Sequence, residues 1–415
     1  MPIKFLGFVA VLTKSRASRA TGWAMLNVLM ATVVGVITAR LLGVSLRGTL
    51  AILLSVAGLT VLLGTLGTNV AVRRRLPQRQ TSVAQYLQVS GLLFLIYLFL
   101  LPGIVFAITV WIDPEFSNLW IFAPFLAYGA AFFWSNQLLD LLNAIGKVPL
   151  SAATKAFGTA VCLLAVGTSA LLGGSFAAVA WSYVLSVLAQ IGLAIFLLRR
   201  VLQSSPSLGS RRGLVRDGTM LMGLNLGQVI TYRGDTILIG ALSTAHGVGL
   251  YAVATTPAAV LMLPATALGQ TMMHDAASGT LNVRKVLKRV LQLELVLGAL
   301  ALIGWLVADF AIVFVFGADF AEAAGVFRVL LIAQLMLAPF MILSRVVVGY
   351  GSTWAASISG VVGSVALIGL GWLWIPEMGV YGGAWASVVA YALMSVVSFL
   401  QVVRFRDRLL PTVAS

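Results

Sequence analysis

An arginine and an aspartate stand two residues apart, Arg233 and Asp235, in the stretch from Asn225 to Gln270, which otherwise reads as two apolar helices joined by a Gly-rich turn. A charge at the centre of a membrane-crossing helix is unfavourable by about 2.5 to 3.5 kcal/mol, so such residues face protein or water rather than lipid. At 100° per residue, Asp235, Gln228, Tyr232, Asn225, Thr236 and Arg233 follow one another across an arc of roughly 160°, which makes one side of this helix polar. Arg233 and Asp235 fall at opposite margins of the arc and are not each other's i,i+4 partner. Arg233 therefore needs another anion. A diphosphate fits, because the guanidinium stays charged and its fork matches phosphate oxygens; an acidic residue on a neighbouring helix fits as well. Asp235 suits a cation or proton site and equally a helix-packing anchor.

A second polar stripe, Asn136, Gln137, Asp140, Asn143 and Lys147, shares one helical face through spacings of three and four. Arg40 closes an earlier apolar run, where its chain can snorkel to head groups or reach a substrate. Cys162 is the lone cysteine and lies in an apolar run, and His246 and His274 fall at opposite ends of one helix. These leave no disulfide, thiolate metal site or paired histidine ligands. No catalytic constellation is visible, so the expectation is a protein that is not an enzyme and needs no cofactor or metal.

The elements that hold these residues are set by composition. Of the 415 residues 60% are hydrophobic and 9% charged, and the mean hydropathy is +1.03. That excludes a soluble globular protein. Apolar runs of about 20 residues have the length needed to cross a hydrocarbon core, in a helical rather than a barrel-like pattern. The net charge of +15 and pI of 10.6 would suit a nucleic-acid binder, but the charges sit between the runs, so no nucleic-acid partner is expected. Twelve spans are predicted: 21–42, 48–72, 83–112, 119–142, 156–172, 176–198, 218–242, 249–273, 290–316, 325–350, 354–375 and 380–403. With the N-terminus inside, 23 of the 27 basic residues fall on the cytoplasmic side, while Asp113, Glu115, Asp319, Glu322 and Glu377 lie outside and the outer loops keep only Arg47. Both termini are then cytoplasmic by the positive-inside rule, and the basic clusters set topology and bind anionic membrane lipid.

The predicted organisation is a cytoplasmic interfacial segment (1–20), a six-helix lobe (21–198), a Ser-rich linker (199–217), a second six-helix lobe (218–403) and a basic tail (404–415). The lobes repeat. Asn27 and Thr38 match Asn225 and Thr236 at an offset of 198; Gly48 and Ala51 match Gly249 and Ala252 at 201; Leu66-Gly67 matches Leu268-Gly269 at 202; and Gly146, Gly158 and Ser182 match Gly351, Gly363 and Ser387 at 205. Copies with an even number of spans share an orientation, which places their pseudo-twofold along the membrane normal. The expected fold is thus an all-α polytopic membrane protein of about twelve transmembrane helices in two parallel six-helix lobes. Such lobes suit a transporter that rocks around a shared cavity. Under the 205 offset Asp140 corresponds to Arg345, so Asp140 and Arg345, with Asn136 and Gln137, are candidates for an inner gate. Pro257 and Pro264 predict a bent eighth span.

Several segments resemble the O-antigen and exopolysaccharide flippases of the multidrug/oligosaccharidyl-lipid/polysaccharide exporter superfamily: Ala39-Arg-Leu-Leu-Gly-Val-Ser45, Tyr232-Arg-Gly-Asp-Thr-Ile-Leu-Ile-Gly240, Gly247-Val-Gly-Leu-Tyr251, Phe316-Gly-Ala-Asp-Phe-Ala-Glu-Ala-Ala324 and Ile375-Pro-Glu-Met-Gly-Val-Tyr-Gly-Gly-Ala384. The resemblance covers the whole chain and is firmest from Asn225 onward. It implies a bacterial cytoplasmic-membrane protein that moves a polyprenyl-diphosphate-linked oligosaccharide to the outer leaflet by alternating access. It also implies coupling to an H+ or Na+ gradient, and a polysaccharide polymerase and export machinery as partners. Arg233, Asn225, Gln228, Tyr232, Thr236 and Arg40 are then the candidate substrate-binding residues and Asp235 the candidate coupling site. A multidrug exporter of the same superfamily is the alternative; it would bind cations through acidic cavity residues, whereas here an arginine is prominent. A lipid-linked glycosyltransferase or polymerase would need a large outer loop or catalytic carboxylates, and the outer loops are short.

Overall fold

Because lipid offers a backbone no hydrogen-bond partners, apolar runs of this length close their own bonds as helices. The computed structural model describes residues 16–112, 119–202, 211–277, 281–350 and 353–404; the interfacial segment up to residue 15 and the tail beyond 404 lie outside them. The described residues form fourteen α-helices and no strand: α1 Arg16–Gly64, α2 Thr68–Arg75, α3 Val83–Ile112, α4 Leu119–Ala144, α5 Val148–Leu171, α6 Phe176–Leu202, α7 Arg211–Leu242, α8 Ala245–Ala258, α9 Met262–Ala277, α10 Val283–Leu306, α11 Ala308–Phe316, α12 Ala323–Gly349, α13 Thr353–Met378 and α14 Val380–Arg404. The chain divides into two compact units, one of residues 1–41 with 56–222 and the other of residues 42–55 with 223–415.

Several boundaries differ from those the apolar pattern gives. The first two expected spans share one helical element, α1, with a break at Gly43 (φ 71°, ψ −178°), a conformation that suits glycine. Arg47, expected in an outer loop, is instead helical and buried. The second span ends early at Leu66 and Gly67, both with positive φ, and its remainder restarts as α2. The linker is shorter than 199–217, since α6 runs to Leu202 and α7 starts at Arg211, and residues 203–210 lie outside the described residues.

The eighth span bends where Pro257 cannot donate within the helix: α8 stops at Ala258, one 3-10 turn follows, and α9 resumes. Pro264 sits in the first turn of α9, where a missing N–H costs little. The ninth span is not straight either, since α10 and α11 meet at 70°. Seven helices among the described residues, or eight if that bent pair counts as one, are long and apolar enough to cross a membrane, and α3, α4 and α7 run along the expected third, fourth and seventh spans.

In the first unit α4 packs against α2 and α6, and α5 against α6; in the second, α12 is the central helix, packed against α8, α9, α10 and α14. Its buried face runs through Val326, Leu330, Ala333, Leu337, Ile342 and Val346. Large apolar side chains such as Phe99, Leu164, Leu306 and Phe310 are exposed, as expected of surfaces that face lipid. The repeat is visible in packing. Gly158 of α5 meets Gln190 of α6, and its match Gly363 of α13 meets Met394 of α14. Ser182 donates to Ala178 O four residues back, as its match Ser387 does to Gly383 O.

Candidate functional site

Two polar centres stand out, one in each unit. In the second unit Asp235, on α7, is 5% exposed. One carboxylate oxygen accepts from the Thr236 backbone N–H (2.6 Å) and hydroxyl (3.2 Å), the other from the Tyr251 hydroxyl (2.6 Å). Tyr251 is fully buried on α8 and lies 3.4 Å from the Ser387 hydroxyl of α14. The carboxylate is thus satisfied by neutral donors. A cage of five side-chain oxygens, two from Asp235 and one each from Thr236, Tyr251 and Ser387, is the kind of environment a small cation or a proton can use. Tyr251 and Ser387 were not singled out by the sequence, although the GVGLY segment and the 205 offset already marked both positions.

Arg233 is exposed, and no hydrogen-bond or ion-pair partner for it lies among the described residues; it interacts with Asp235 only at longer electrostatic range. The acidic partner on a neighbouring helix is therefore not found among them. Thr236 is half-buried and bound to Asp235. The side chains of Asn225, Gln228 and Tyr232 lie outside the described residues, so their expected place on the polar arc is not described. Arg40 is exposed on α1.

In the first unit Asp140, also 5% exposed, gathers α2 against α4. Arg73 donates to it through Nε (3.0 Å) and a terminal nitrogen, Asn69 through Nδ2 (2.9 Å) and Asn143 through its own amide (3.3 Å). Lys155, exposed on α5, interacts electrostatically with both Asp140 and Arg73. Gln137 accepts from the Tyr86 hydroxyl and donates to Thr68 Oγ1 at 3.5 Å. Asn136 turns away and donates to Phe132 O on its own helix. The stripe is therefore real for Gln137, Asp140 and Asn143. Arg73 and Asn69 were missed: Arg73 reads as one of a topogenic cluster, and only the i,i+4 spacing of Asn69 and Arg73 after the Gly67 break hinted at a shared face.

Asp140 is thus occupied by a partner in its own unit, and Arg345 donates to Thr266 O (3.3 Å) in its own. A gate pair between them has to compete with the Arg73 contact. Two other charges also have partners the sequence did not supply. Asp309 forms a two-point pair with Arg328 (2.6 and 3.2 Å), and Arg289 pairs with Asp275 (3.0 Å).

Among the described residues these features define a multi-pass helical membrane protein with one buried carboxylate centre per unit. Residues 19–272 match the family described as polysaccharide biosynthesis protein, and the chain belongs to that family. Among solved structures it is similar to lipid II flippase MurJ in an inward closed conformation (TM-score 0.71, 12% identity, covering 95% of this chain and 90% of that one). It is also similar to an inward-facing MATE-family multidrug resistance transporter of the MOP superfamily (TM-score 0.69, 16% identity, 96% of this chain and 100% of that one). A third is a MOP-superfamily transporter from Pyrococcus furiosus with a binding pocket of reversed polarity (TM-score 0.57, 18% identity, 95% and 96%). No curated protein matches the sequence. The fold is that of the MOP-superfamily transporters.

Proposed function

We propose that this protein carries a polyprenyl-diphosphate-linked oligosaccharide from the cytoplasmic to the outer leaflet by alternating access, with both termini cytoplasmic. The observation that supports this reading most is Arg233: a cation on α7, which runs along the expected seventh span, exposed, and not hydrogen-bonded to any described residue although a carboxylate stands two residues away. Asp235 is satisfied by Thr236 and Tyr251, which leaves the guanidinium fork for a ligand with phosphate oxygens. Membership of the polysaccharide biosynthesis family agrees with such a cargo.

Deleting the gene should make lipid-linked oligosaccharide accumulate on the inner leaflet, with Arg233→Lys restoring transport partly and Arg233→Gln not at all. Unchanged surface polysaccharide in the deletion would reject the reading. The other cargo class, that of an ion-coupled multidrug exporter, is served equally by the oxygen cage around Asp235, which suits H+ or Na+ coupling under both readings. In either case Asp235→Asn should remove the dependence of transport on an ion gradient, and full retention of that dependence would show that Asp235 only anchors packing. The inner gate is assigned to Asp140 and Arg345. The exchange of Asp140→Arg with Arg345→Asp should recover transport lost in the single variants, and no recovery would count against that gate.

A further inference from the structure

Arg47 is 9% exposed, its Nε has no partner, and its guanidinium makes no hydrogen bond or ion pair among the described residues. It sits in the first turn after the Gly43 break, so it lies at a helix start, where free N–H groups and the positive end of the helix dipole repel a cation. A second helix start adjoins it. A Cβ on Gly48 would lie 1.7 Å from Ala245 O and 2.7 Å from Gly249 N, and one on Gly249 would lie 2.0 Å from Val44 O. The first turn of α8, capped by Thr244, therefore crosses the first turn after Gly43 backbone on backbone. All of these residues belong to the second unit. Residues 42–55 and 243–258 contain no Asp or Glu. Glu377, at the end of α13 before the turn that packs near Ser243, is exposed and forms no ion pair among the described residues.

The geometry points to an anion site at Arg47 that takes a phosphate-class oxyanion. An arginine nine-tenths buried with an unpartnered Nε is unfavourable without an anion, and the free amides of its own helix start share that preference. The fork of Arg47 and these amides recognise the non-bridging oxygens of a phosphate ester or a diphosphate. The diphosphate of the carried lipid and the phosphodiester of a membrane lipid share this chemistry. The site stands on its own geometry, and only the choice of cargo as occupant rests on the flippase reading. Because the positive-inside pattern places Arg47 at the outer end of its span, a diphosphate bound there would be at its point of release.

The test uses purified full-length protein in dodecyl maltoside micelles, which carry no phosphate, with thermal unfolding followed by tryptophan fluorescence. All variants carry Arg233→Gln and Arg40→Gln, so that the other two candidate arginines do not contribute. Farnesyl diphosphate and inorganic pyrophosphate should raise Tm by roughly 2 to 4 °C at saturation. Arg47→Gln should abolish the rise and Arg47→Lys should keep part of it. Without anion, Arg47→Gln should melt no lower than its parent, since it removes an uncompensated charge; a structural arginine would instead leave a less stable protein. A rise produced by phosphatidylglycerol added to the micelles, dependent on Arg47 and not increased by diphosphate, assigns the site to a membrane lipid. Diphosphate stabilisation that is absent, or that survives Arg47→Gln, overturns the site. Unchanged surface polysaccharide in the deletion strain would reject the flippase reading and leave this binding result intact.

Discussion

A carboxylate buried in a membrane helix keeps its place only if its lone pairs are filled, and the two here are filled in different ways. Asp235 relies on hydroxyl and backbone donors, and among the described residues Tyr251 is the only donor to its second oxygen. Tyr251→Phe should lower stability by about 1 to 3 kcal/mol, read as a shifted unfolding transition, because an acceptor is left without its partner. Ser387→Ala should cost less, since that hydroxyl also bonds Gly383 O on its own helix. Asp140 relies on Arg73, whose side chain is 49% exposed, so water can replace part of what Arg73→Ala removes. The expected loss is about 1 to 3 kcal/mol, below that of a fully buried pair. The charged residues in the apolar runs were legible from composition alone, because charge at membrane depth is rare. Their partners were not, because Arg73 and Tyr251 are common residue types whose role appears only once α2 meets α4 and α8 meets α7.

Among elements, the crossing of Gly48 with Gly249 shows how much of the repeat survives in three dimensions. Gly48 approaches Ala245 and Gly249 approaches Val44, and both pairs map onto each other under the offset of 201 that aligns the two glycines in the sequence. The contact is therefore locally twofold. Gly48→Ala and Gly249→Ala each place a methyl against backbone and should sharply reduce the yield of folded, monodisperse protein. Gly58→Ala on the same helix α1, with nothing within 4 Å of the added Cβ, should be neutral or stabilising by about 0.5 to 1 kcal/mol. The 70° bend between α10 and α11 is the counter-case. Arg328 donates to Trp305 O at the break (3.2 Å) and holds Asp309 in the first turn of α11, so the bend is pinned by a residue 19 to 23 positions away. No proline marks it, and the largely apolar stretch from Val290 to Phe316, interrupted by Gln292, Glu294 and Asp309, reads as one span.

For the whole molecule, hydropathy and the basic-residue pattern were enough to give an all-helical, multi-pass protein, and the order of loose motifs was enough to suggest the superfamily whose fold it has. Division into lobes by the Ser-rich stretch was less informative, because a compact unit follows packing rather than chain order: residues 42–55 join the second unit and the first turns of α7 join the first. Arg75 makes the latter attachment, pairing with Asp217 at 2.7 Å, while Gly213 leaves room for its guanidinium.

The central claim is that a guanidinium at membrane depth is held for a diphosphate cargo. It is tested most directly in proteoliposomes loaded with a fluorescent polyprenyl-diphosphate oligosaccharide, with the fraction reached by an external lectin followed over time. The wild-type protein should move the label across the bilayer and Arg233→Gln should reduce the rate to that of protein-free vesicles, while neither changes ethidium efflux. Equal rates for the two proteins, or ethidium transport lost with Arg233 while the labelled lipid stays where it was loaded, would contradict the account.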